Sequence, residues 1–225
     1  MLMTKYLLRI PKSERYEFSD LPKADMVIID AKALTHKIEH ELIEQIVKHA
    51  DYKAPIYLFV VSEFEANKVL SILNGIWTYL LPGNETYILK RLIWYNPQDM
   101  KEEGEWKTAH EVIYAILPDG WKANFQWSDV IVETGISEDR KLMPEDKPVS
   151  IYQRLISNSI DQGKTIYEIG CGSGNGLLAS WSLGMNWVGF ESRKEYSDAL
   201  IKRVQPLTGL TGPNEKYEKL VLEIQ

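Results

Sequence analysis

The sequence has a single cysteine, Cys171, so no disulfide can close within the chain, and a reducing, cytoplasmic setting is the expectation. It lacks any apolar run long enough to cross a bilayer, so no membrane partner is expected. Met1 to Ile10 is too short for a signal peptide and lacks its cleavage pattern. It also lacks an excess of positive charge: 26 Lys and Arg stand against 32 Asp and Glu, a net charge of −6. That balance excludes a protein that coats nucleic acid by bulk electrostatics, while leaving room for a local basic cleft. Internal repeats, low-complexity tracts and obvious linkers are missing too. The 225 residues are most simply one domain with a substantial core.

What is present alternates between two periods. Met26-Val-Ile-Ile29 and Pro55 to Val61 read as buried strands, and Thr86 to Tyr95, His110 to Leu117 and Asp129 to Glu133 as further strands. Between them, Ile38, Leu42, Ile43, Ile46 and Val47 recur at helical spacing behind Thr35 as N-cap. A second helix is expected from Ser62 to Leu73, stopped by Asn74-Gly75. Ile151, Leu155 and Ile156 mark the buried side of another helix, Lys194 to Val204 reads as helical, and Lys219 to Ile224 alternates as a closing edge strand. The first twenty residues show no clear period and read as a lead-in. Strands and helices of these lengths in alternation predict an α/β fold, a three-layer α/β/α sandwich.

The chemistry concentrates in Thr165-Ile-Tyr-Glu-Ile-Gly-Cys-Gly-Ser-Gly-Asn-Gly176. A short β-rich run leads into Gly170, Gly172 and Gly174, and a helix is expected from about Asn175 to Ser182. Glycine suits such a turn because the chain takes angles that a Cβ forbids and because a ligand can lie against bare backbone. A second apolar strand, Asn186 to Phe190, ends at Glu191, where a parallel strand presents a carboxylate to ribose hydroxyls. The glycine spacing departs from the nicotinamide fingerprint, in which two residues separate the second and third glycines.

With these parts in order, the chain resembles the DNA amino-methyltransferases that modify the exocyclic nitrogen of adenine or cytosine. It is most similar to the group whose catalytic half precedes the half that binds S-adenosyl-L-methionine (SAM). The residues carrying the resemblance are Asp30, Leu92-Ile-Trp94, His110-Glu111-Val-Ile-Tyr114, Pro144-Glu-Asp-Lys147-Pro148, the glycine turn and Glu191, spanning roughly residues 24 to 205. The resemblance implies a Rossmann-like methyltransferase fold with a mostly parallel sheet and SAM as cofactor. It implies that Gly170, Cys171, Gly172, Ser173 and Gly174 cradle the cofactor, with Glu168, Lys147 and Pro148 near its methionine end and Glu191 on its ribose. Asp30 is the implied catalytic residue, accepting a hydrogen bond from the target amino group, and DNA is the implied partner. A single domain then divides into a catalytic-loop half at about 24–118, a recognition insert at about 118–143 and a SAM half at about 144–205. Cys171 is read as a small turn residue rather than a reactive thiol.

Two departures stand against this. The family's catalytic loop runs acid, Pro, Pro, aromatic, and here it reads Asp30-Ala31-Lys32-Ala33. The carbonyl of Ala31 can still accept a hydrogen bond, but Ala33 offers no ring for a flipped base, a loss of about 1–3 kcal/mol of stacking. The insert is also short. Its Trp121, Lys122, Phe125, Trp127, Arg140 and Lys141 could grip a base, although the commoner role of such a stretch is a Trp-anchored surface loop. Loose specificity or help from a homo- or hetero-oligomeric partner is then expected. Three functions stay open: a DNA amino-methyltransferase, a non-catalytic DNA-binding or scaffolding relative, and a methyltransferase with another acceptor. His36 and His40 match an inverted zinc-protease spacing, but no third ligand stands out, and a solvated helix face is the expectation, with no metal.

Overall fold

The computed structural model describes residues 6–9, 21–31, 37–60, 63–80, 87–96, 101–103, 106–108, 110–136, 142–144, 146–207 and 222–224. Eleven strands and five α-helices occur among them: β1 (Tyr6–Arg9), β2 (Met26–Asp30), α1 (Lys37–His49), β3 (Ile56–Val60), α2 (Glu63–Leu80), β4 (Tyr87–Tyr95), β5 (Lys101–Glu103), β6 (Trp106–Thr108), β7 (His110–Pro118), β8 (Val130–Val132), α3 (Val149–Ser159), β9 (Thr165–Ile169), α4 (Asn175–Leu183), β10 (Asn186–Phe190), α5 (Lys194–Val204) and β11 (Leu222–Ile224). Nine strands form one sheet in the order β11-β1-β10-β9-β2-β3-β7-β4-β8, and β5 and β6 form a separate ribbon. In the large sheet, β7 runs against both of its neighbours, and the other pairings are parallel.

The central strands are apolar on both faces because both faces are covered. In β2, Met26 and Ile28 join the core that includes Ile151, Leu155, Leu177, Leu200 and Val204 from α3, α4 and α5. Val27 and Ile29 point the other way, into a core with Ile43, Ile46 and Val47 of α1 and Val69 and Leu73 of α2. Two apolar cores on the two faces of one sheet make the three-layer sandwich expected from the sequence. No helix among the described residues is long and apolar enough to cross a membrane.

Two expectations need correction. Part of the lead-in is strand: β1 lies between β10 and β11, with Tyr6 and Leu8 buried in one core and Leu7 in the other. A four-residue strand is too short to show a period, so only its sheet partners reveal it. The second helix continues through Asn74-Gly75 to Leu80. A Cβ at Gly75 would meet nothing within 4 Å, so no left-handed turn or close contact marks a stop there. Glycine inside a helix costs about 1 kcal/mol, which neighbouring turns can absorb.

Other elements fall close to expectation. α4 ends in a Schellman motif: Gly184 is left-handed at φ 68°, and the amides of Gly184 and Met185 bond back to Trp181 and Ser180. β11 closes one sheet edge against β1. Thr35, Lys32, Ala33, His36, Arg140 and Lys141 lie outside the described residues.

The crevice between β9 and β2

The site follows from strand register. Ile29 of β2 pairs with Ile169 of β9, so Asp30 and Gly170, far apart in sequence, leave adjacent parallel strands side by side. On one side the chain proceeds from β2 through α1 to β3, and on the other from β9 through α4 to β10, with the two helices on opposite faces of the sheet. This is a topological switch point, and ligands of open α/β sheets bind in the crevice it opens at the strands' carboxyl ends.

Gly170, Gly172 and Gly174 all take positive φ, at 71°, 54° and 87°. They differ in surroundings. A Cβ at Gly174 would stand 2.8 Å from Cγ of Leu200, so this glycine lets α5 pack against the turn. At Gly172 nothing lies within 4 Å, so bare backbone faces open space. An open hollow sits there, lined among others by Asp30, Lys147, Gly170, Cys171, Gly172 and Ser173. The turn is anchored below by the amides of Gly170 and Cys171, both bonded to the carbonyl of Phe190.

On the β2 side, Nζ of Lys147 lies 2.6 Å from Oδ2 of Asp30, and the two side chains are 4% and 13% exposed. The same ammonium stands 4.9 Å from the ring centre of Phe59. Pro148 follows as the N-cap of α3, buried, and positions Lys147 at the helix entrance. A second set of bonds ties this segment to the glycine turn. Asp146 accepts from Oγ of Ser173 at 2.6 Å and from the amides of Leu142 and Met143, and Arg203 donates to Ser173 at 3.1 Å.

Glu168 and Glu191, expected at the cofactor surface, lie beneath it. Glu168 is buried, accepts from Nε1 of Trp187 at 2.7 Å and presses on Gly176, where a Cβ would stand 2.1 Å from its Oε2. Burial, partly opposed by the Trp187 bond, raises its pKa to about 8, so near neutrality it is mostly protonated. Glu191 accepts from the amide of Gly172 at 2.9 Å and from both the amide and Nε of Arg193. It thereby fixes the glycine turn, and its side chain is fully covered, with Arg193 as one of its bonded partners. Cys171 is buried, and desolvation together with Glu168 and Glu191 pushes its thiol well up, away from the thiolate form that reacts.

Sequence reasoning missed several lining residues as parts of the site: Met143, Asp146, Tyr152, Asn175 and Arg193. Asn175 carried a signal, because it opens α4 directly after the turn, where helix amides are exposed. Its side chain is 3% exposed, with Oδ1 lacking a hydrogen-bond partner. Tyr152 packs its ring 5.5 Å from Phe59 and so carries an aromatic surface to the Asp30 side. His110 is exposed at the start of β7. Among the described residues no group of acids, histidines or cysteines could hold a metal ion.

A glycine-turn crevice at the switch point of a mostly parallel sheet defines a Rossmann-like fold. The chain belongs to the DNA methylase family, whose model matches residues 26–203. Among solved structures it is similar to M1.HpyAVI in complex with SAM, with TM-score 0.68 and 18% identity over 88% of this chain and 98% of that one. It is also similar to the cytosine-N4-specific PvuII DNA methyltransferase, with TM-score 0.64 and 13% identity over 89% and 87%. TTHA0409 from Thermus thermophilus, complexed with SAM, matches with TM-score 0.59 and 14% identity over 98% and 99%. No curated protein matches the sequence.

Proposed function

We propose that this chain binds SAM over the Gly170–Gly174 turn and transfers its methyl group to a base amino group of DNA presented to Asp30. The observation that carries the proposal is the pairing of Ile29 with Ile169, which sets a carboxylate beside a bare glycine turn. The residues fit the cofactor: Gly172 leaves open backbone, and Asn175 brings an unpaired oxygen to the hollow.

SAM would supply an electrophilic methyl on sulfur, which leaves its bonding pair behind. Gly170 to Ser173 would hold the nucleoside against backbone. Glu191 would meet the ribose once the side chain of Arg193 swings off it. Asp30 would accept a hydrogen bond from the acceptor amino group and turn its lone pair toward the methyl, and the amino group then gives up a proton. No covalent intermediate is needed, so orientation and exclusion of water are the protein's contribution. Lys147 already occupies Oδ2 of Asp30, so an acceptor amine competes with an ammonium for this carboxylate.

The organisation that goes with this reading is one domain with halves at about 24–118 and 144–205 around the insert at 118–143. The single buried thiol is in keeping with a reducing, cytoplasmic location. The test has two parts. Calorimetric titration should show saturable SAM binding, and none at millimolar ligand would instead support a non-catalytic scaffold. Incubation with labelled SAM should place label in DNA, lost in Asp30→Ala. Label found only in RNA, protein or small molecules would sink the DNA assignment. The pairing of Asp30 with an alkyl-ammonium, beside Ala31 where the family's first proline stands, is the observation that favours a changed acceptor.

A further inference from the structure

A second cavity, larger than the hollow at the glycine turn, lies on the α3 face of the sheet. It holds about 280 Å³ and is floored by Leu92, Leu117 and Ile131 and walled by Leu155 of α3 and the segment 121–129. That is close to the lower end of the range of small-ligand sites, which are apolar concavities with a few polar groups at the rim. No residue lines both cavities. The hollow gathers around Lys147, before the first turn of α3, and the ends of β2 and β9. The second cavity gathers around Asn158 in the last turn of α3, the start of β3 at Tyr57 and the end of β7 at Leu117. It therefore lies toward the opposite end of the strands and cannot be the place where an acceptor meets Asp30.

Its outer wall is held in place. The amide and Nδ2 of Asn124 bond to the carbonyls of Asn158 and Ser157, and the amide of Phe125 bonds to Oδ1 of Asn158 at 2.9 Å. On this braced segment Phe125 and Trp127 stack with ring centres 5.5 Å apart and planes 13° apart. Both remain about half exposed, at 50% and 41%, although aromatic side chains usually bury more of their surface. The guanidinium of Arg154 stands 4.7 Å from the Trp127 ring. Neither Arg154 nor Lys90, which also lines the cavity, forms an ion pair with a described residue, and Asp129 is the one acid on the described lining.

We infer that this cavity is a nucleotide-binding site separate from the methyl-transfer centre. A planar base lies against the aromatic wall, and its phosphate meets Arg154 and Lys90. Flat aromatic faces tolerate any base, and unpaired cations select for an anion, which together describe a nucleotide rather than a neutral apolar ligand. The inference does not depend on SAM binding.

The probe is cytidine 5′-monophosphate, titrated by tryptophan fluorescence and calorimetry with S-adenosylhomocysteine present to fill the glycine hollow. Saturable binding is expected, at least tenfold tighter than for cytidine or for ribose 5-phosphate. Trp127→Ala and Arg154→Gln should each weaken it about tenfold, while Trp127→Phe keeps most of it and all three variants retain wild-type thermal melting. No saturation, equal binding of ribose 5-phosphate, or unchanged affinity in both weakening variants would overturn the inference. If S-adenosylhomocysteine fails to bind the wild type but the nucleotide still requires Trp127 and Arg154, the methyltransferase reading falls and this one stands.

Discussion

The two walls of the crevice are made in different ways. The β9–β10 wall is backbone: three left-handed glycines, amides bonded to Phe190, and carboxylates buried beneath as struts. The β2 wall is side chain: one ion pair between Asp30 and Lys147, with the rings of Phe59 and Tyr152 beside it. A wall of backbone is fixed by the turn that makes it and by the buried Glu191 that accepts from the Gly172 amide. A wall built on one ion pair depends on both partners, because a buried charge left alone costs far more than the pair contributes.

The largest effect should come from splitting that pair. Lys147→Ala or Asp30→Ala should each lower stability by about 3–5 kcal/mol in urea unfolding, because each removes the charged partner of a nearly buried ion. The double variant Asp30→Asn/Lys147→Met should recover much of that loss. Additive losses in the double variant would show that the β2 wall does not rest on the pair.

Next come the glycines, where the two conformationally similar positions should part. Gly174→Ala forces a Cβ to 2.8 Å from Leu200 at φ 87°, so stability should fall by about 1–3 kcal/mol. Gly172→Ala meets no atoms within 4 Å, so it should cost about 1 kcal/mol from backbone strain alone. Its effect should appear instead as SAM affinity reduced tenfold or more in calorimetry. Equal SAM affinities for Gly172→Ala and wild type would remove the turn from the cofactor site.

Acidity offers a finer probe of the struts. Glu168 has its folded pKa raised from 4.5 to about 8, so its contribution is fully present below pH 4.5 and is lost as pH rises through about 8. Stability should therefore decline across that window in the wild type. Glu168→Gln keeps an acceptor for Trp187 and should flatten the decline, measured by urea unfolding at several pH values. An unchanged slope would mean that Glu168 is charged in the folded protein. The smallest effect is expected at Cys171: native protein should resist iodoacetamide at pH 8, and Cys171→Ala should shift stability by less than about 1 kcal/mol.

The glycine wall was nearly all legible in the sequence, because its information is local. Thr165–Ile169, Asn175 and Asn186–Phe190 fall where the pattern of apolar run, glycine turn and apolar run puts them. Positive φ needs glycine at particular positions, and a buried parallel strand needs an unbroken apolar run, so residue type reports structure directly there. The resemblance to the family also singled out Asp30 and Lys147, but it placed each beside a ligand rather than against the other.

What the sequence by itself determined is the layered α/β fold, the glycine turn and part of the crevice lining, Asp30, Lys147 and Gly170 to Ser173. What only the tertiary structure decided is the pairing of Asp30 with Lys147, the burial of Glu168 and Glu191 below the surface, the place of β1 in the sheet and the cavity behind α3. The first of these joins residues 117 positions apart, and the others likewise rest on how distant segments register. Local propensity carries no record of which distant strand a segment will lie beside, and charge reveals its role only once burial and a partner are known.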